Sequence, residues 1–169
     1  MLNAMRETDP ETACIFNCQM GKGRTTTGMI LACLMKDILF GDNSKTFYKN
    51  DKVTTDEFPD EDEYLEERAK RGQYQVIENI SNYISGVDEA KAHIDHIIDV
   101  CGEKATGGTG LQNLRECILW TQIKHDFEPK KKRPFWKQMS KNFIERYCYL
   151  IVFTTYVKAF YTRGNSFLN

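Results

Sequence analysis

Read for runs and periods of apolar residues, the chain first shows Ala13-Cys14-Ile15-Phe16, a short continuous run closed by Asn17-Cys18. Four such residues without polar alternation predict a strand buried on both faces, the kind found inside a parallel sheet. Gly21 and Gly23 then interrupt regular structure. From Thr25 or Thr26 the period changes: Leu31, Leu34, Met35 and Ile38 share one helical face, and Gly41 ends that helix.

Further along, helical spacing predominates. Tyr64, Leu65, Tyr74, Ile77, Ile80 and Ile84 predict a helix over about 62–84. Val87, Ala90, Ile94, Ile97, Ile98 and Cys101 mark the next. The run Gly107-Gly108-Thr109-Gly110 is a loop, after which Leu111, Leu114 and Ile118 open another helix. A last helix carries Phe143, Tyr147, Leu150, Ile151, Thr154, Val157 and Tyr161 on one face, although residues 151–155 have strand propensity. Residues 42–62 form an acidic surface loop containing Pro59, and residues 128–135 a basic linker with two prolines. There is no internal repeat.

A single strand buried on both faces cannot stand alone, because its backbone N–H and C=O groups need neighbours. Residues 1–169 are therefore expected to be one partial domain. The remaining sheet would come from an N-terminal segment outside this sequence or from a partner chain.

Composition narrows the function. At 169 residues, 41% hydrophobic and 28% charged, the chain can build one core, and its formal net charge of −1 gives no general drive toward nucleic acid. Anion binding must then be local. No apolar run approaches the roughly 20 residues of a membrane-spanning helix, and the N-terminus has no apolar signal core. A cytoplasmic location is the expectation. Six cysteines without a signal segment predict thiols rather than disulfides, with Cys33, Cys117 and Cys148 as packing residues.

The chemistry is concentrated in Cys18-Gln19-Met20-Gly21-Lys22-Gly23-Arg24-Thr25. A phosphate dianion is held best by converging backbone N–H groups, a helix N-terminus and one planar bidentate donor. Gly21 and Gly23 permit the turns that aim the amides of Gln19, Met20, Gly21, Lys22, Gly23 and Arg24 inward. Arg24 offers two parallel donors that a lysine could not reproduce. The helix start and nearby cations favour the thiolate of Cys18, a nucleophile able to form a phosphocysteine. Thr25 can donate a hydrogen bond to the sulfur, and Lys22 adds charge suited to highly anionic substrates. A Walker nucleotide loop fits less well, since Lys22 is followed by Gly23 and not by Ser or Thr.

This loop resembles the signature of the cysteine-dependent phosphatases, and Gly21-Lys22-Gly23-Arg24-Thr25 is similar to the loop of phosphoinositide and inositol-phosphate phosphatases. The longer stretch Asn17 to Met29 resembles the paladin-type domains. So do Gln73-Tyr74-Gln75-Val76-Ile77, Gly86-Val87-Asp88, Ile94-Asp95 with Asp99-Val100-Cys101, Gln112-Asn113-Leu114-Arg115-Glu116 and Glu145-Arg146-Tyr147. The resemblance implies an α/β cysteine-phosphatase fold, represented by one central strand, the phosphate loop and a mostly helical remainder. It implies Cys18, Arg24 and Thr25 as catalytic residues, no cofactor and no metal. The partner would be a phosphorylated substrate or an inositol phosphate.

Two readings stay open. One is a phosphatase working through a phosphocysteine. The other is a pseudophosphatase that binds phosphate without turnover, to which two departures point: Asn17 stands where most active members of the superfamily have histidine, and no acid loop precedes the signature. Asp56 or Asp60 could substitute as general acid. Elsewhere, His93, His96 and Asp99 read as a solvated helix face rather than a metal site, and Cys14 as a packed core cysteine rather than a resolving thiol. Arg115 and Arg146 read as buried ion-pair residues organising the helices, with a role in substrate binding as the alternative. Lys130-Lys131-Lys132-Arg133 reads as a solvated linker, with contact to anionic lipid as the alternative.

Overall fold

The computed structural model describes residues 9, 11–18, 23–41, 61–105 and 113–166. Among the described residues there are six helices and no strand: α1 Gly23–Phe40, α2 Glu61–Lys70, α3 Gln75–Ser81, α4 Val87–Ala105, α5 Leu114–Phe127 and α6 Arg133–Ser166. Residues 42–60 of the acidic loop, the glycine run 107–110 and Gln19 to Lys22 lie outside them, and Glu61 and Asp62, expected in that loop, begin α2.

The helical periods translate directly into packing. On α4, Val87, Ala90, Ile94, Ile97 and Ile98 are buried, the face their spacing predicts. They meet Ile30 and Leu34 of α1, Leu114 and Ile118 of α5, and Phe143, Tyr147, Leu150 and Ile151 of α6 in one core. A smaller cluster joins Ala32 and Met35 of α1 to Val157 of α6. At the head of α5, the Asn113 side chain accepts from the N–H groups of Arg115 (3.0 Å) and Glu116 (3.4 Å), satisfying two donors that the helix leaves over.

Two expectations change and one holds. The helix predicted over 62–84 is two helices. Gly72 adopts φ +63°, its N–H bonds the Ala69 carbonyl and the Gln73 N–H bonds the Arg68 carbonyl, each at 2.9 Å, which is a Schellman stop. The basic linker is a tight turn: Lys132 N–H bonds the Pro129 carbonyl, and α6 begins at Arg133 with Pro134 in its first turn, where no N–H is needed. The α6 helix also runs unbroken through 151–155. There Thr154 and Thr155 donate to the carbonyls of Leu150 and Ile151 at 2.7 and 2.9 Å, so their hydroxyls are satisfied while buried. Burial on a helical face outweighs local strand propensity.

The predicted strand is the third difference. Residues 12–18 carry no regular structure, Ala13 and Cys14 are exposed, and Ile15 is 92% exposed. No backbone ladder forms on them among the described residues, and without one there is no strand. The α/β expectation is met here only in its helical part.

A polar network ties the helices where the core reaches Tyr147, which is fully buried. Its hydroxyl donates to Asp95, whose carboxylate also takes Lys91 Nζ at 2.6 Å and lies 3.5 Å from Arg115 Nη1. Arg115 in turn donates to Asp99. Burial and the Asp95 charge push the Tyr147 phenol well above its ordinary value. Lys91 also donates to the Arg71 carbonyl at 2.8 Å, and Gly72 lies against the Tyr147 ring. Arg115 is thus the buried ion-pair residue its sequence setting suggested.

His93 is a correction. It is buried, not solvated, and gives its Nε2–H to Asp37 Oδ2 at 2.6 Å, joining α4 to α1. Desolvation, helped by the charge of Lys158, holds its imidazole below the ordinary value despite the opposing pull of Asp37. Of its expected companions, His96 is exposed and Asp99 is engaged by Arg115.

Arg115→Met removes the cation shared by Asp95 and Asp99 and should lower the unfolding free energy by about 3 kcal/mol, read from urea denaturation. Gly72→Ala must force a side chain into a left-handed position against Tyr147 and should cost about 1–3 kcal/mol by the same measurement. Because the folded state holds His93 below its unfolded value of 6.5, the unfolded chain binds the extra proton first as pH falls. The urea midpoint should therefore drop between about pH 7.5 and about pH 5.5, and less steeply in His93→Gln.

Candidate functional site

Two elements frame the phosphate-loop sequence. The first is the segment ending at Cys18. Phe16 pins it by packing on α1 beside Ala32 and Met35. Gly28 makes this approach possible: a Cβ there would lie 2.7 Å from Phe16 Cδ1. Lys36 of α1 adds a bond from Nζ to the Thr12 carbonyl at 2.5 Å. The second element is α1 itself, whose first residues are Gly23, Arg24 and Thr25.

The chain therefore leaves at Cys18 and returns at Gly23, and its two ends meet. Thr25 Oγ1 donates to Cys18 Sγ at 3.0 Å, so the half-buried thiol sits at the N-terminal turn of an 18-residue helix. In the same turn Thr27 Oγ1 caps the Gly23 carbonyl at 3.0 Å, and Thr26 is buried. Arg24 is exposed at the helix start. Of the residues expected to act on phosphate, Cys18, Gly23, Arg24 and Thr25 are thus gathered at one helix end. Gln19, Met20, Gly21 and Lys22 lie outside the described residues, as do Asp56 and Asp60.

Arg146 completes the surroundings. Its guanidinium stacks over the Phe143 ring, 5.6 Å from the centroid, and presses on Gly23, where a Cβ would meet Nη1 at 2.5 Å. It is half-buried, and α6 uses it to reach the loop's last glycine. Sequence reasoning had set Arg146 beside Arg115 as an ion-pair residue and missed this contact. It also missed the Phe16–Gly28 pair. A glycine inside an otherwise regular helix is the available signal for such close approach.

The other cysteines divide. Cys117 and Cys148 are half-buried against the core, and burial pushes both thiols up. Cys14 and Cys33, expected in packing, are exposed. On a helix only one stripe faces the core, and Cys33 falls between the buried positions 32 and 34 without joining them. Among the described residues no group of His, Cys, Asp and Glu is arranged to hold a metal, and no helix is long and apolar enough to cross a membrane.

The chain is similar in sequence to known proteins. A family model for PTP-like phytases, described by the words inositol hexakisphosphate, matches residues 1–36. Paladin of Xenopus tropicalis is 30% identical over 158 residues, covering 92% of this chain and 16% of that protein. Paladin of Gallus gallus is 27% identical with 93% and 17% covered, and paladin of Homo sapiens 28% identical with 92% and 17% covered. The chain thus spans about one sixth of the length of the curated relatives it matches. No solved structure matches it. Similar to these relatives over nine-tenths of its length, and to the phytase family over the segment holding Cys18 and Thr25, the chain is a paladin-like member of the cysteine-phosphatase superfamily.

Proposed function

We propose that this chain carries the phosphate site of a cysteine-dependent phosphatase, acting on an inositol phosphate, a phosphoinositide or a phosphoprotein. The supporting observation is the 3.0 Å bond from Thr25 Oγ1 to Cys18 Sγ at the first turn of α1. A thiol held there is favoured as thiolate by the positive helix end.

In the proposed reaction, Cys18 Sγ attacks phosphorus and the bond to the leaving oxygen breaks, giving phosphocysteine and an alcohol that takes up a proton. The amides of residues 19–24 and the Arg24 guanidinium would hold the three equatorial oxygens. Water then attacks phosphorus, the S–P bond breaks and orthophosphate leaves. Thr25 assists this second step, since a hydroxyl donating to sulfur stabilises the thiolate as it departs. The α/β character of the fold belongs to the same proposal. The apolar segment 13–16, with Ile15 turned to solvent, fits a strand whose neighbours come from elsewhere.

Asn17, exposed beside the nucleophile, favours a second reading in which phosphate binds without turnover. One assay separates the two. Phosphate release from soluble inositol phosphates, phosphoinositides and phosphotyrosine peptides should fall by about 10⁴-fold or more in Cys18→Ser. Thr25→Val should leave a first-turnover burst and slow the later turnovers by about tenfold. Wild-type rates in Cys18→Ser would refute the nucleophile. Phosphate binding with no release in either protein would establish the second reading.

A further inference from the structure

The turn between α5 and α6 is chemically unlike the rest of the surface. Trp120, Ile123 and Phe127 lie on one stripe of α5, at i, i+3 and i+7, and they are 50%, 42% and 85% exposed. Phe135, 60% exposed, joins them from the first turn of α6 through an edge-to-face contact with Trp136, whose ring meets Trp120 in the same way. Both centroid distances are 5.1 Å. Lys124 lies 5.9 Å over Trp120, and Lys130, Lys131, Lys132 and Lys137 are exposed on the turn and the start of α6.

Residues 124–137 hold six basic and two acidic residues, a formal +4 in a chain whose total is −1. Glu128 is occupied locally, 3.7 Å from Lys124 and 3.6 Å from Lys132. Arg133 is used in the turn, donating to the carbonyls of Glu128 and Asp126 at 3.2 and 3.3 Å. These bonds close the end of α5 and present the aromatic rings and lysines together at a rigid tip.

We propose that this tip docks on an anionic lipid surface, the rings entering the headgroup layer and the lysines pairing with lipid charge. Charge complementarity selects this occupant. Amines sharing a turn with exposed rings suit a deformable, negatively charged interface, whereas an ordinary protein interface depletes lysine. The docking does not rest on the phosphatase reading: Arg133 and Arg146 are thirteen residues apart on α6, about 20 Å along its axis. The tip and the phosphate loop are separate places.

The test is favourable, because Trp120 and Trp136 are the chain's two tryptophans and both belong to the patch. Phosphatidylcholine vesicles containing phosphatidylserine should shift the protein's fluorescence to the blue and sediment it, with binding weakened by salt, and vesicles of phosphatidylcholine alone should do neither. Lys130→Glu with Lys131→Glu and Lys132→Glu should weaken binding at least about tenfold, with folding checked by circular dichroism. Phe127→Ser with Phe135→Ser should reduce the blue shift. Arg24→Ala should bind vesicles as the wild type does. Failure to bind anionic vesicles, equal binding to both kinds, or unaltered binding by the lysine variant would overturn the proposal. Loss of binding in Arg24→Ala alone would place the lipid in the phosphate loop instead, and capture by soluble polyglutamate without vesicle binding would point to an acidic protein.

Discussion

Asp95 is the point on which the helical assembly turns. One carboxylate receives the hydroxyl of Tyr147, the ammonium of Lys91 and the charge of Arg115, so a single side chain of α4 addresses α5, α6 and its own preceding turn. A negative charge this close to the core is tolerable only with such a set of donors. The reverse also holds: Arg115 and the Tyr147 phenol can be buried because Asp95 and Asp99 receive them. Apolar burial would let these helices slide over one another. The polar network gives them a register.

That register matters at Gly23 as well. The α6 helix carries Tyr147 in the network and, one residue earlier, Arg146 against Gly23. Whatever holds Tyr147 therefore also places a guanidinium against Gly23, at the edge of the proposed phosphate loop. The α1 helix is tied independently, by Leu34 and Ile30 in the core and by His93 on Asp37. The start of α1, where Thr25 meets Cys18, is thus supported from α4 and α6 together. A loop proposed to aim several amides at one anion needs such fixed supports.

Among the described residues, exposed Lys130, Lys131, Lys132 and Lys137 gather at the α5–α6 turn, while Asp9, Glu11, Asp88 and Glu116 face solvent elsewhere. With a total near neutrality, this separation is where long-range electrostatic attraction can arise. The aromatic rings at the same turn supply an apolar contact that charge alone lacks.

Local chemistry determined a good deal of this protein directly from its sequence. The buried face of α4 follows from its 3.6-residue period, and the closeness of Cys18 and Thr25 follows from a short glycine-bearing loop ahead of a helix. Those features depend on neighbours along the chain. Others depend on neighbours in space. The burial of His93, the stop at Gly72 beneath the Tyr147 ring and the approach of Phe16 to Gly28 each required a second element to arrive. Tertiary structure alone decided them, because the free energy of burying a group depends on what already occupies the other side. The apolar run 13–16 marks the boundary between the two cases. Its composition suits a strand, but a strand is a relation between chains of backbone, and one segment cannot supply both partners.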